Sequence, residues 1–214
     1  MIRVVAGVFQ QQRRDATHIT EYLVARRRGP AFAGCWEFPG GKQDPGDVSD
    51  QHTLRREWRE ELNACPTEIG RLLYEREHPV RDGGPFTLAA YEIRHLVHDG
   101  IGRAFDLDAH DMLWYAQIDE IMALSGDQVT PSLKPITSKF LPGGDALSLI
   151  TAALRGVTVD IDVRRGFYDL RHGEKDVVIG YRSGSWGVSP NVADSVEVFH
   201  DAEHAAWRAI ELLG

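Results

Sequence analysis

Three glutamates on one helix face, behind a loop of glycine and proline, constrain this chain more than any other feature. Residues 49–62 carry Leu54, Trp58 and Leu62 at four-residue steps, an apolar stripe that has to face a core. Ser49 suits the N-cap, Asp50 the first turn and Asn63 the left-handed position after the last turn. Glu57, Glu60 and Glu61 fall at i, i+3 and i+4 and share a second face. A solvated acidic face is the ordinary reading of such a trio. Two considerations weigh against it. The trio lies toward the helix C-terminus, where the macrodipole disfavours each negative charge by about a few tenths of a kcal/mol. Carboxylates confined ~4 Å apart also repel by roughly 4 kcal/mol at an effective dielectric near 20. A divalent cation turns that repulsion into a binding site, because a hard ion such as Mg2+ takes carboxylate and phosphate oxygens together.

The loop ahead of the helix supports a ligand site. Pro39-Gly40-Gly41-Lys42 and Pro45-Gly46 can bring bare backbone up to a ligand, with a cation beside it. It is not a Walker loop, since no G-x4-G-K-[ST] pattern occurs. Around it, strands are expected at residues 1–9 and 19–25, forming a hairpin, then at 71–77, 86–97 and 112–117. Short helices are expected at 119–124 and from 135 on. Pro142-Gly143-Gly144 reads as a domain boundary. Beyond it come a helix (145–155), four strands (157–163, 167–170, 177–181, 196–199) and an amphipathic helix (201–213). Residues 180–187, Gly-Tyr-Arg-Ser-Gly-Ser-Trp-Gly, read as a hairpin turn with packing aromatics rather than a nucleotide or partner contact. The expected architecture is an α/β (α+β) domain over 1–141 and a small α+β module over 142–214.

Composition narrows the partners. With 24 Lys and Arg against 32 Asp and Glu, the net charge is −8, which excludes a broad basic footprint for duplex nucleic acid or an anionic membrane. Two cysteines give no disulfide framework, and Cys35 has no partnered His/Asp signature for nucleophilic catalysis. No apolar run approaches membrane-spanning length, and no signal-peptide core is visible at the N-terminus; a soluble, cytoplasmic protein is expected. His200 and His204 stand at i, i+4 without a third ligand and read as ordinary surface or half-buried histidines.

Taken together, Trp36-Glu37-Phe38-Pro39-Gly40-Gly41-Lys42, Pro45-Gly46-Asp47 and Arg56-Glu57-Trp58-Arg59-Glu60-Glu61-Leu62 resemble the Nudix box, G-x5-E-x7-R-E-U-x-E-E-x-G-U, with U a bulky apolar residue. The surrounding words are most similar to the MutT-type nucleoside triphosphate pyrophosphohydrolases, and the resemblance covers roughly residues 1–141. Three departures stand out. Asp47 replaces a Glu, eight residues rather than seven separate it from Arg56, and Asn63-Ala64 replaces the final Gly-U. Counting from the helix end leaves Val48 as the insertion, outside the helix, so the glutamates keep their mutual spacing.

The resemblance implies a Nudix α/β/α sandwich with a mixed sheet, and hydrolysis of a nucleoside triphosphate to the monophosphate and pyrophosphate with Mg2+ or Mn2+. It implies metal ligation by Glu60, Glu61 and the Gly40 carbonyl, with Glu57 a further ligand or the base toward water. Asp108, six residues before Trp114, matches the place of a further loop carboxylate. An acidic turn over 105–111 is the competing reading. Arg26, Lys42 and Phe38 are the expected substrate contacts, with solvation open for Lys42 and packing beneath the loop open for Phe38 and Trp36. Asp47 is expected to brace Arg56. In the oxidised-guanine members an Asn stands near the domain's end. Leu133 stands there here, which points away from 8-oxo-dGTP and leaves CTP, dCTP or another damaged dNTP open. Dinucleoside polyphosphates, nucleotide sugars, or a nucleotide sensor are the alternatives, with a homodimer contact or a protein partner at 142–214.

Overall fold

The computed structural model describes residues 2–13, 15–78, 85–98, 109–162, 167–190 and 196–214. They divide into two compact units, Met1–Gln117 and Ile118–Gly214.

The first unit contains β1 (Ile2–Arg13), β2 (Ala16–Arg27), β3 (Trp36–Glu37), β4 (Gly40–Lys42), α1 (Asp50–Leu62), β5 (Ala64–His78), β6 (Phe86–His98) and β7 (His110–Ala116). One mixed sheet runs β3-β2-β1-β6-β5, with β4 paired to β1 and β7 to β2. β1 carries the sheet because it serves two ladders. Ile2–Phe9 lies parallel to β6 and Val4–Ala6 antiparallel to β4, and from Gln10 onward the strand turns to β2. A stretch paired on both edges should be apolar almost throughout, and Val4-Val5-Ala6-Gly7-Val8 is. The hairpin arms β1 and β2 run longer than the apolar pattern suggests, since their polar ends satisfy each other as a ribbon.

Helix α1 begins and ends where its caps dictate. The Ser49 hydroxyl accepts the His52 N–H at 3.2 Å, and Asn63 sits in the left-handed region with φ 51°. Its stripe of Leu54, Trp58 and Leu62 is buried with Val5, Leu23, Ala89 and Ile93. The Trp58 ring lies against the bare Cα of Gly7. Its indole N–H donates to the Pro39 carbonyl at 3.0 Å, and the Gly7 N–H donates to the same oxygen at 2.9 Å. One carbonyl thus ties the glycine loop to both helix and sheet.

The second unit contains α2 (Ile118–Ala123), α3 (Leu133–Ser138), α4 (Gly144–Ala153), β8 (Thr158–Asp162), β9 (Phe167–His172), β10 (Lys175–Arg182), β11 (Ser185–Ser189), β12 (Glu197–Phe199) and α5 (Ala202–Leu213). Its strands form an antiparallel sheet in the order β12-β11-β10-β9-β8. The units divide at Gln117/Ile118 and not at Pro142-Gly143-Gly144. Met122 and Leu141 share one apolar core with Leu147, Ile150 and Tyr168, so the chain on both sides of that turn builds the same unit. Gly143, with φ 65°, starts α4 inside it.

Residues 180–187 form the β10–β11 hairpin around Ser183 and Gly184, both at positive φ. Tyr181 and Trp186 face each other across it with ring centroids 4.9 Å apart, and the Trp186 indole N–H donates to the Gly143 carbonyl at 3.1 Å. Among the described residues no helix is long and apolar enough to cross a membrane.

Candidate active site at the glycine loop and the α1 carboxylates

The loop reaches the helix only because two residues lack side chains. Gly40 has φ 156°, and a Cβ there would meet the Val5 carbonyl oxygen at 2.1 Å. A Cβ on Gly41 would fall 2.3 Å from the carboxyl carbon of Glu57. Bare backbone therefore lies directly against the first glutamate of the trio.

Arg56 organises the acidic residues around it. Its guanidinium donates to Asp47 at 2.8 Å and to the Lys42 carbonyl at 2.9 Å, and pairs with Glu57 at 2.9 Å and Glu60 at 3.0 Å. Asp47 is almost fully buried and also meets the His52 ring at 2.8 Å. The Arg56 hydrogen bond first, then the Asp44 backbone N–H, hold its carboxyl well below the usual carboxylate range. Val48 is 88 % exposed, outside α1. The extra residue is thus pushed into solvent before Ser49, and the short Asp47 side chain still reaches Arg56. Glu57 shifts the other way. Burial raises its pKa, against the pull of Arg56 and with help from the nearby charges of Glu60 and Asp44.

A second chain of contacts ends on Glu61. Arg27 donates to Glu37 at 2.7 Å, and the His110 Nε2 lies 3.2 Å from the same Glu37 oxygen. The His110 Nδ1 lies 3.6 Å from Glu61 Oε2. His110 is 2 % exposed, and its Nδ1 has no hydrogen-bond partner among the described residues. Sequence reasoning passed over Glu37 and His110. The signal that finds them is register, since Arg27 pairs with His110 across β2 and β7 after an irregularity that no spacing in the sequence announces.

The remaining expected residues scatter. Arg26 is held by Asp111 at 2.8 and 3.0 Å, with its guanidinium 5.9 Å from the Trp36 ring centroid. Trp36 packs against Trp114. Phe38 is buried, which fits packing under the loop and leaves no open face for stacking a base. The Lys42 side chain is exposed. Leu133 is fully buried in α3. His200 and His204 pair with Ser185 and Asp201 respectively, not with each other. Asp108 lies outside the described residues.

The donor set suits a divalent cation in chemistry, though the side chains stand apart as placed. Among the described residues no three His, Cys, Asp or Glu side chains converge tightly enough to hold an ion. Arg56 engages the exposed Glu60 through a single contact that is cheap to exchange, and meets the largely buried Glu57 at 2.9 Å. The Gly41 cradle with the desolvated Glu57 carboxyl, and the buried His110 Nδ1 beside Glu61, are two settings in which a positive charge would be accommodated.

Comparison with known proteins agrees. The family model of the NUDIX domain matches residues 1–116, the extent of the first unit within one residue. The 8-oxo-dGTP diphosphatase of Haemophilus influenzae is 30 % identical over 144 residues, 66 % of this chain and 92 % of that protein. In fold, the chain is similar to a MutT NUDIX hydrolase from Burkholderia pseudomallei (TM-score 0.51, 22 % identity, 64 % of this chain and 98 % of that one). A NUDIX hydrolase from Nitrosomonas europaea is similar too (TM-score 0.52, 20 % identity, 65 % of this chain and 87 % of that one). Nudix hydrolases use divalent cations and bind nucleotide substrates. With box, fold and relatives in agreement, the chain belongs to the NUDIX domain family, as a MutT-like Nudix pyrophosphohydrolase.

Proposed function

We propose that the protein hydrolyses a nucleoside triphosphate to the monophosphate and pyrophosphate with Mg2+ or Mn2+. The observation that carries this is the Glu57 carboxylate pressed against the side-chain-free Gly41, with Glu60 and Glu61 on the same helix face. Glu60, Glu61 and the Gly40 carbonyl are the proposed ligands. A cation held there would draw charge from the polyphosphate and ease the ionisation of water. Glu57 takes the water's proton. Its burial makes the carboxylate a stronger base than a solvated Glu, which suits that task near neutral pH. Arg56, held by Asp47, fixes where Glu57 and Glu60 point. Lys42, exposed beside the loop, contacts phosphate. The curated relative acts, by its name, on 8-oxo-dGTP, which supports a triphosphate substrate, and that nucleotide joins CTP and dCTP as a candidate to test.

The test is turnover of 8-oxo-dGTP, CTP, dCTP, ADP-ribose and diadenosine polyphosphates by wild type and Glu60→Gln, with product analysis. Wild type should release pyrophosphate from at least one triphosphate, on the order of 10^3-fold faster than the variant, as loss of several kcal/mol of charge stabilisation implies. Turnover confined to ADP-ribose or the dinucleotides, or equal rates in both proteins, overturns the reading.

A further inference from the structure

We infer that His110 is a metal ligand, so that the cation site of this chain is a mixed nitrogen and oxygen site selecting Mn2+ over Mg2+. The inference rests on the functional reading above and adds a donor to it.

The His110 Nε2 lies 3.2 Å from Glu37 Oε1, a carboxylate oxygen already accepting from Arg27 at 2.7 Å. A carboxylate only accepts, so Nε2 donates. In the neutral ring the remaining Nδ1 carries a lone pair. That atom is buried, makes no hydrogen bond among the described residues, and lies 3.6 Å from Glu61 Oε2. A bare lone pair facing a carboxylate oxygen is unfavourable, so a positive charge belongs between them, either a second ring proton or a metal ion. Coupling of the ring nitrogen to a bound Mn2+ tells the two apart. Two ligands of one ion can span 3.6 Å, given metal–ligand bonds of about 2.0–2.2 Å.

The surroundings match how proteins prepare a ligating histidine. Such a ring nearly always donates its other N–H to a carboxylate, which fixes orientation and tautomer. Glu37 does this for His110, and Arg27 holds Glu37. The three side chains come from β2, β3 and β7, so the ring is set by the sheet and not by a loop. Imidazole suits transition metals, whereas Mg2+ keeps to oxygen. His110 should therefore favour Mn2+ over Mg2+ without excluding Mg2+.

The experiment uses the full chain loaded with Mn2+, read by pulsed electron paramagnetic resonance. Wild type should show coupling of the Mn2+ spin to a histidine nitrogen, and 15N-histidine labelling should alter it. His110→Gln should abolish the coupling and lower Mn2+ affinity by at least ~10-fold, with a smaller change for Mg2+. Glu37→Gln, which leaves His110 in place, should weaken Mn2+ binding by about 10–100-fold, and it serves if the first variant fails to fold. Mn2+ bound without nitrogen coupling overturns the inference, as does coupling that survives in His110→Gln. Either result leaves the hydrolase assignment standing if triphosphate is still cleaved. Failure of that assignment shows separately, as no turnover with any divalent ion.

Discussion

The two units treat charge in opposite ways. In the first, Asp47, Glu37, Glu57, Glu61 and His110 are all drawn largely or wholly out of solvent, and their contacts join residues far apart in sequence. In the second, ion pairs such as Arg208 with Glu197 and Glu211 stay on the surface, over a core of aliphatic side chains and Tyr168. Half-buried carboxylates seldom stabilise a fold over well-packed apolar residues. Their concentration around α1 is a cost in stability that the proposed chemistry would account for. Their scarcity among the described residues of the second unit fits a module built for packing.

Core truncations in the two units should break this comparison most visibly. Trp58→Ala removes a fully buried ring together with the bond that anchors Pro39, and Leu170→Ala empties an equally buried site in the second unit. Each should cost about 2–5 kcal/mol in denaturant unfolding, with Trp58 at the upper end. Only the first should also lower kcat, because Pro39 precedes Gly40 and Gly41. Trp58→Phe keeps most of the ring and drops the N–H. Its stability cost should be about 1 kcal/mol, since the Pro39 carbonyl retains the Gly7 donor. A kcat loss from Leu170→Ala as large as that from Trp58→Ala would show that the two units are not separable in function.

The brace offers a finer test, through the opposite shifts of two carboxylates. Asp47 titrates below its ordinary value, so its support of the fold is complete above about pH 4 and is lost only as pH falls through its lowered pKa. Glu57 titrates above its ordinary value. Its contribution to the metal-free protein is complete below pH 4.5 and is lost as pH rises through the raised pKa. Glu57→Gln should therefore raise the Tm of the metal-free protein at pH 7, and Asp47→Asn should lower it. Asp47→Asn should also reduce kcat by about 10–100-fold, the usual effect of losing a residue that orients a ligand. Tm shifts of the same sign would mean that the brace and the base are not set against each other as the contacts imply.

Much of this was legible in the sequence where local rules decide. The Ser49 cap, the Leu54/Trp58/Leu62 stripe and the left-handed Asn63 each follow from residues within a few positions, and the structure has them all. The displaced Val48 was legible for the same reason, because helix register counts back from the glutamates. What was hidden depends on pairing between distant strands. The approach of His110 to Glu61 needs the β2–β7 register, with its slip between Arg26 and Arg27. The unit boundary needs knowledge that Met122 and Leu141 pack with Tyr168, whereas a Pro-Gly-Gly turn looks alike between domains and inside one. Strand β11 escaped notice because its glycine and serines read as turn, although Trp186 holds it in the sheet.

The smallest effect tests the second unit at a buried cation. Lys134 is buried in α3, and its ammonium donates to the Val157 carbonyl at 2.6 Å with no carboxylate paired to it among the contacts described. Burial brings its pKa down to about 8. Between about pH 8 and the ordinary lysine value the unfolded chain holds a proton that the folded chain has released, so stability should climb as pH rises through that window. The slope cannot exceed about 1.4 kcal/mol per pH unit, and other titrating groups will overlay it. Lys134→Met supplies the reference: the stability difference, wild type minus variant, should grow from pH 8 to pH 10 and stay flat from pH 6 to pH 7. A difference independent of pH throughout would mean that water reaches the ammonium, and that the second unit too contains an opening its packed core does not suggest.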